Sequence, residues 1–240
     1  MTHIVQIPKP LQGRRFAIGD IHGCYETLRK LVIEQIQLTQ EDQLFLLGDY
    51  IDRGPNSSGV IDWIIELKEK GFQVFTLRGN HEQMLIEDLA RYNPKVFKRW
   101  LTMNNTLDLA DESGVMLKPK YYRFIDSLPY CFELDEFYLV HAGFNFMKDS
   151  ILEDVRAMIW VREMSIFPEM LNGKRFVHGH TPKGIDEIRH RIQERHVEIC
   201  LDNGCVYQPK NRWMEREGDL GRLCALNLDT FELLEEMYCG

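Results

Sequence analysis

Short apolar runs alternate with amphipathic stretches through the first half of the chain. Arg15-Phe16-Ala17-Ile18 reads as a buried strand and leads into a helical pattern with Leu28, Leu31, Val32 and Ile36 near one face. Leu44-Phe45-Leu46-Leu47 gives a second strand. Asn56 or Ser57 then caps a helix expected over Gly59 to Lys70 and closed by Gly71. A third strand is expected over Phe72 to Leu77. A helix-rich stretch follows from Glu82 to Ala110, with Leu85, Leu89, Phe97 and Leu101 among its apolar positions.

The second half has a different texture. Tyr130 to Leu134, Phe137 to Val140 and Lys174 to Val177 read as strands. Val197 to Leu201, Arg222 to Leu228 and Phe231 to Glu236 read as a late antiparallel set. No clear period runs from Glu153 to Lys174. Alternating strand–helix units followed by hairpin-like strands predict an α/β sandwich of two mixed sheets with helices outside. At 240 residues, with no repeat or low-complexity linker, the chain 1–240 is expected to form one domain.

Composition narrows the partners. The formal net charge of −8 supplies no basic footprint for nucleic acid. No apolar run approaches the ~18 residues a membrane helix needs. The first ten residues lack a basic region followed by an apolar one, so the chain reads as cytoplasmic. The 6 cysteines form no CxxC pair and are expected to be reduced and mostly buried. Nothing in the sequence bears on oligomeric state.

The chemistry gathers at the ends of strands. Five apolar runs terminate in Gly19-Asp20-Ile21-His22-Gly23, Gly48-Asp49-Tyr50-Ile51-Asp52-Arg53-Gly54, Arg78-Gly79-Asn80-His81-Glu82, His141-Ala142-Gly143 and His178-Gly179-His180-Thr181. In open α/β sheets ligands bind beyond the carboxyl ends of strands, so the five ends can share one cleft. Carboxylates, an amide and imidazoles without a thiolate suit manganese, iron or zinc. Arg53 offers the fork that matches phosphate. Any one of these fragments alone is ordinarily a turn or a packed histidine. His3, His190 and His196 are read that way, and His178-Gly179-His180 should place one ring in the cleft and the other in the core.

GDIHG, GDYIDRG, RGNHE, HAG and GHT in this order resemble the signature of the metallophosphoesterases. The second and third motifs are similar to those of PPP-type serine/threonine phosphoprotein phosphatases, particularly the compact bacterial and phage members. The resemblance runs from about Gly19 to Tyr207. It implies a calcineurin-like sandwich and two divalent metal ions, manganese first with iron or zinc as alternatives. It implies Asp20 and His22 as ligands of one ion, Asp49 as the bridge, and Asn80, His141 and His180 as ligands of the other. It makes His81 the general acid, Asp52 its carboxylate partner, Arg53 a phosphate clamp and Arg162, in Ile159-Trp160-Val161-Arg162, a second clamp. The implied reaction is direct attack of a metal-bridging water on a phosphoserine or phosphothreonine of a protein or peptide substrate. No cysteine lies in the motifs, which argues against a thiol nucleophile.

Three roles stay open. Glu82 either holds a ligand or backbone amide of the site or faces a helix dipole. Tyr50 and Tyr207 either line the cleft or pack. Symmetrical dinucleoside polyphosphate hydrolases are the nearest rival, since Gly19 to Tyr25 and Leu201 to Cys205 also resemble their motifs. Asp52 and the Trp160–Arg162 segment favour the protein phosphatase. A catalytically silent scaffold is the other alternative, and the presence of His81 with the whole ligand set argues against it.

Overall fold

A computed structural model describes residues 3–90, 93–207 and 219–240. The strands form two sheets. One contains β1 (Ile4–Gln6), β5 (Cys131–Glu133), β6 (Phe137–Val140), β7 (Arg175–His178) and β8 (Glu198–Cys200), in that spatial order. The other runs β11 (Leu233–Met237), β10 (Arg222–Asn227), β2 (Arg15–Ile18), β3 (Gln43–Leu46) and β4 (Gln73–Thr76), with β9 (Asp202–Asn203) paired to β10. In each sheet three successive strands, β2-β3-β4 or β6-β7-β8, are parallel. Their carboxyl ends therefore open in one direction within each sheet.

Alternation along these strands builds two cores. Ala17, Phe45 and Phe75 point between the sheets and meet Phe132, Leu139 and Val177. Phe16, Ile18, Leu44, Leu46 and Val74 point the other way, onto the helices. Those helices include α1 (Tyr25–Lys30), continued by π-type turns over Leu31–Ile36, and α2 (Ser57–Glu69). Asn56 caps α2, its side-chain oxygen accepting from the Gly59 amide at 2.8 Å.

The helix-rich stretch resolves into α3 (Asn80–Ala90) and α4 (Pro94–Met103), with residues 91 and 92 outside the described ones. Two further helices, α5 (Pro119–Asp126) and the single turn α6 (Ala157–Trp160), precede α7 (Ile185–Gln193). Five cysteines are buried and Cys239 is exposed, all as free thiols.

One expectation is overturned. Val197 to Leu201 does not join the late antiparallel set, because β8 runs parallel to β7 in the other sheet. The chain changes sheets at Leu201, and the antiparallel partners of β10 are β2, β9 and β11. The strand's apolar run suits either sheet, so pairing decides its place. Nothing in the sequence had marked β1 or α5.

At the edge away from the site, Asp42 ties the start of β2 to the turn before β3. Its carboxylate accepts from the Arg14 amide at 2.7 Å, the Arg14 guanidinium at 2.8 and 3.1 Å, and the Thr39 amide and hydroxyl at 2.9 and 3.0 Å. Burial alone would raise this carboxyl, but these donors hold it down to about 2. A folded-state value below the unfolded one means stability present above about pH 4 and lost as pH falls through about 2. Asp42→Asn should therefore cost about 2 kcal/mol at pH 7, falling to about half that at pH 3, by urea unfolding.

Candidate metal centre

The five strand ends identified from sequence converge: β2, β3 and β4 from one sheet, β6 and β7 from the other. Asp20, His22, Asp49, Asn80, His141 and His180 are all buried there. Asp49 lies at the centre. Its Oδ2 is 3.5 Å from His22 Nε2, and its Oδ1 is 3.5 Å from His141 Nε2. The two carboxylate oxygens thus face two different imidazoles. Nε2 of His141 and Nδ1 of His180 approach the Asn80 side-chain oxygen at 3.0 and 2.8 Å. The His180 amide donates to both oxygens of Asp20, at 3.0 and 3.1 Å.

Hydrogen bonds fix two tautomers. His22 Nδ1 donates to the Ile51 carbonyl at 2.9 Å, and His141 Nδ1 donates to the Leu47 carbonyl at 3.0 Å. Their Nε2 lone pairs then face Asp49, with Asn80 also facing that of His141 and the Arg53 guanidinium reaching that of His22 at 2.6 Å. On the His141 side bare acceptors lie this close, out of water, and repel one another unless a cation sits among them. The donor set of carboxylate, amide and imidazole fits divalent cations. Burial, chiefly, pushes His22 and His180 down to about 3 and also lowers His141, which keeps all three in the neutral form that ligates metal. Burial would raise Asp49, but the charge of His81 and the bond from its amide hold it down; burial together with Asp202 and Asp49 raises Asp20. Cations between the two would favour ionisation of both.

The backbone is unusual at this place. His22, Asp49, Asp52, Arg53 and His180 all have positive φ, from 46° to 72°. Such conformations are unfavourable for side-chain-bearing residues and persist where the surroundings enforce them. At Asp49, Glu82 supplies that enforcement. It is fully buried and accepts from the amides of Asp49, Tyr50 and Gly79 at 2.9, 2.8 and 3.0 Å. Burial and Asp49 push its carboxyl up to about 8, against amide donors that favour the anion. Of the two roles open for Glu82, holding site amides is the one the geometry bears out. Two glycines are required by close approach: a Cβ on Gly79 would lie 2.1 Å from Asp49 Oδ1, and one on Gly179 would lie 2.0 Å from Asp20 Oδ1.

His81 differs from the other three imidazoles. Its Nδ1 is 2.5 Å from Asp52 Oδ2, and its Nε2 turns into the cleft, 3.9 Å from Asp49. Burial lowers its tendency to hold a proton, but Asp49 and Asp52 outweigh this and raise it. His22, Asp49 and His81 also present donor atoms within 4.8 Å of one another, so distance alone would permit His81 as a ligand. Arg53 is exposed, with Nη1 2.6 Å from His22 Nε2. Arg162 is also exposed, and its charge contributes to lowering His180. Trp160 stands edge-on to His180 at 6.5 Å.

Other candidates fall outside the cleft. His178 pairs with Glu198 at 2.7 Å and stacks on Phe176, so the His178–His180 alternation divides core from site as expected. Tyr50 is buried and its hydroxyl donates to the Leu77 carbonyl at 2.8 Å, with the Leu46 carbonyl at 3.1 Å as the alternative acceptor, a packing role. Tyr207 is exposed, its ring lying against Gly204. Missed from sequence were Thr106, whose hydroxyl donates to Asp52, and Asp202, buried beside Asp20. Neither lies in a strand-end motif of the first half, and Thr106 is far from its partner along the chain.

Comparison with known proteins agrees with this architecture. A serine/threonine-protein phosphatase 1 of Salmonella typhimurium is 26% identical over 204 residues, covering 80% of this chain and 87% of that protein. A symmetrical bis(5'-nucleosyl)-tetraphosphatase of Dechloromonas aromatica is 32% identical over 128 residues, 53% of this chain. The chain spans 43% of that tetraphosphatase's length. The fold matches a protein serine/threonine phosphatase from Saccharomyces cerevisiae with a TM-score of 0.61, 14% identity and coverage of 100% of this chain and 84% of that one. The sequence pattern of the calcineurin-like phosphoesterases matches residues 14–213, a span that holds all five strand-end motifs, and on that match this chain belongs to the calcineurin-like phosphoesterase family, a family of metal-dependent hydrolases.

Proposed function

We propose that the protein removes phosphate from phosphoserine and phosphothreonine in proteins or peptides. Supporting this most is the pairing of His81 Nδ1 with Asp52 at 2.5 Å, which leaves Nε2 facing the same cleft as the six ligand candidates. Asp20 and His22 would hold one cation, Asn80, His141 and His180 the other, and Asp49 both. Manganese suits this set, with iron or zinc also acceptable. When bound, the ions supply Lewis-acid stabilisation of the phosphoryl oxygens and an activated water. The chain's own residues do the rest. Arg53 and Arg162 orient the phosphate, so that positioning and electrostatics carry most of the catalysis. His81 gives its Nε2 proton to the departing serine or threonine oxygen. Asp52 accepts from Nδ1 and so keeps that proton on the opposite nitrogen.

The likeness to the Salmonella phosphatase across most of both chains also favours this reading. The tetraphosphatase relatives, matched over a shorter span, favour a dinucleoside tetraphosphate as the second. One manganese-loaded preparation assayed on a phosphoserine peptide and on diadenosine tetraphosphate separates them. We expect kcat/KM at least tenfold higher on the peptide. Turnover of the dinucleotide alone would reverse the assignment.

A further inference from the structure

We infer that Thr106 is a positioning residue for protonation of the leaving group, acting through Asp52; this rests on the roles read above for His81 and Asp52. Thr106 lies just beyond α4 and is fully buried. The segment it ends clasps the loop that carries Asp52 and Arg53. The Arg53 amide donates to the Asn104 carbonyl at 2.8 Å, and Asn105 Nδ2 donates to the Gly54 carbonyl at 2.8 Å. Thr106 Oγ1 donates to Asp52 Oδ1. The Asn104 carbonyl is a competing acceptor at 3.2 Å, but the hydroxyl has one proton and the carboxylate is both closer and charged.

Asp52 has no exposed surface, so water does not substitute for this donor. Among the described residues its carboxylate has two hydrogen-bond partners, Thr106 on Oδ1 and His81 on Oδ2. The terminal torsion of an aspartate is broad, so the plane of the carboxylate is set by what bonds to it. Without the hydroxyl, Oδ1 is a buried charged acceptor with no partner. The carboxylate would turn to find one, taking Oδ2 off the His81 Nδ1 line. The proton on Nε2, which passes to the leaving oxygen as the P–O bond breaks, would then be less well aimed. A proton donor matters most when the departing oxygen is strongly basic, and this gives Thr106 a selective signature.

The test compares Thr106→Val, which removes the hydroxyl at constant shape, across phosphoesters of rising leaving-group basicity. With p-nitrophenyl phosphate we expect kcat to fall less than about twofold. With phenyl phosphate and a phosphoserine peptide we expect a fall of about tenfold, a fraction of what a general acid contributes. KM and bound manganese should not change, and Thr106→Ser should behave as the unmutated protein. In a His81→Asn background, Thr106→Val should have no further selective effect. Equal loss on all substrates, no loss on any, or full additivity with His81→Asn would overturn the inference. If the valine variant does not fold, Thr106→Cys must show the same selectivity in smaller measure. A peptide left untouched by the unmutated protein would defeat the substrate assignment, while the two aryl esters would still test Thr106.

Discussion

His81→Asn should lower kcat on a phosphoserine peptide by about 10²–10⁴-fold while bound metal stays at the wild-type level. The reason is the division of labour among the four buried imidazoles of the cleft, His22, His81, His141 and His180. His22 and His141 are tied through Nδ1 to backbone carbonyls and turn unprotonated Nε2 atoms toward Asp49, that of His22 also meeting Arg53, while His180 meets the Asn80 oxygen through Nδ1. His81 instead bonds a carboxylate through Nδ1, which favours a proton on its other nitrogen. Asparagine removes that nitrogen but leaves the backbone amide of residue 81, which donates to Asp49 Oδ1 at 3.0 Å. The carboxylate at the centre should therefore hold its orientation. The loss should be far smaller on p-nitrophenyl phosphate, whose leaving group needs little protonation. Metal analysis of the purified variant is the decisive companion measurement. A fall to half the metal content would make His81 a ligand, as its distance to His22 and Asp49 would allow.

The parts of this site that were legible in sequence are those set by local rules. Asp20, His22, Asp49, Asn80, His141 and His180 each follow a short apolar run closely, so strand recognition placed them at strand ends. The Asn56 cap and the alternation that separates His178 from His180 are likewise consequences of period and position. What could not be read depended on partners distant along the chain. Glu82 was recognisable as a candidate, yet its choice of the Asp49, Tyr50 and Gly79 amides follows from how β3 and β4 sit side by side. Thr106 follows α4 in a stretch without strong period, and only the folded chain brings it to Asp52. The misassigned β8 has the same origin. An apolar strand carries no mark of which sheet it joins, and the crossing at Leu201 is settled by pairing with β7. Arg162 and Trp160 lie in a segment of single turns too short to show a period, so a motif rather than a pattern located them.

The second large effect should come from Asp49→Asn, with activity on every phosphoester falling by at least about 10³-fold and both metal equivalents weakened together. Asp49 directs one oxygen at His22 and the other at His141, so one substitution touches both halves of the cage. An amide keeps a carbonyl oxygen for one side but turns an NH₂ toward the imidazole lone pair on the other. That removes the negative charge that would offset two cations and replaces an acceptor by a donor. A metal-dependent hydrolase obtains several kcal/mol of transition-state stabilisation from its ions, and each 1.36 kcal/mol is tenfold in rate, which sets the scale of the loss. The fold should survive. The Asp49 amide remains bonded to Glu82, and the carboxylate's repulsion with Asp20 is relieved. Thermal unfolding without added metal should therefore show a midpoint at or above that of the unmutated protein. Added manganese should raise the midpoint of the unmutated protein but hardly that of the variant. A variant that still takes up two equivalents with unchanged affinity would show that Asp49 bridges nothing. Loss confined to one equivalent would place it on a single ion.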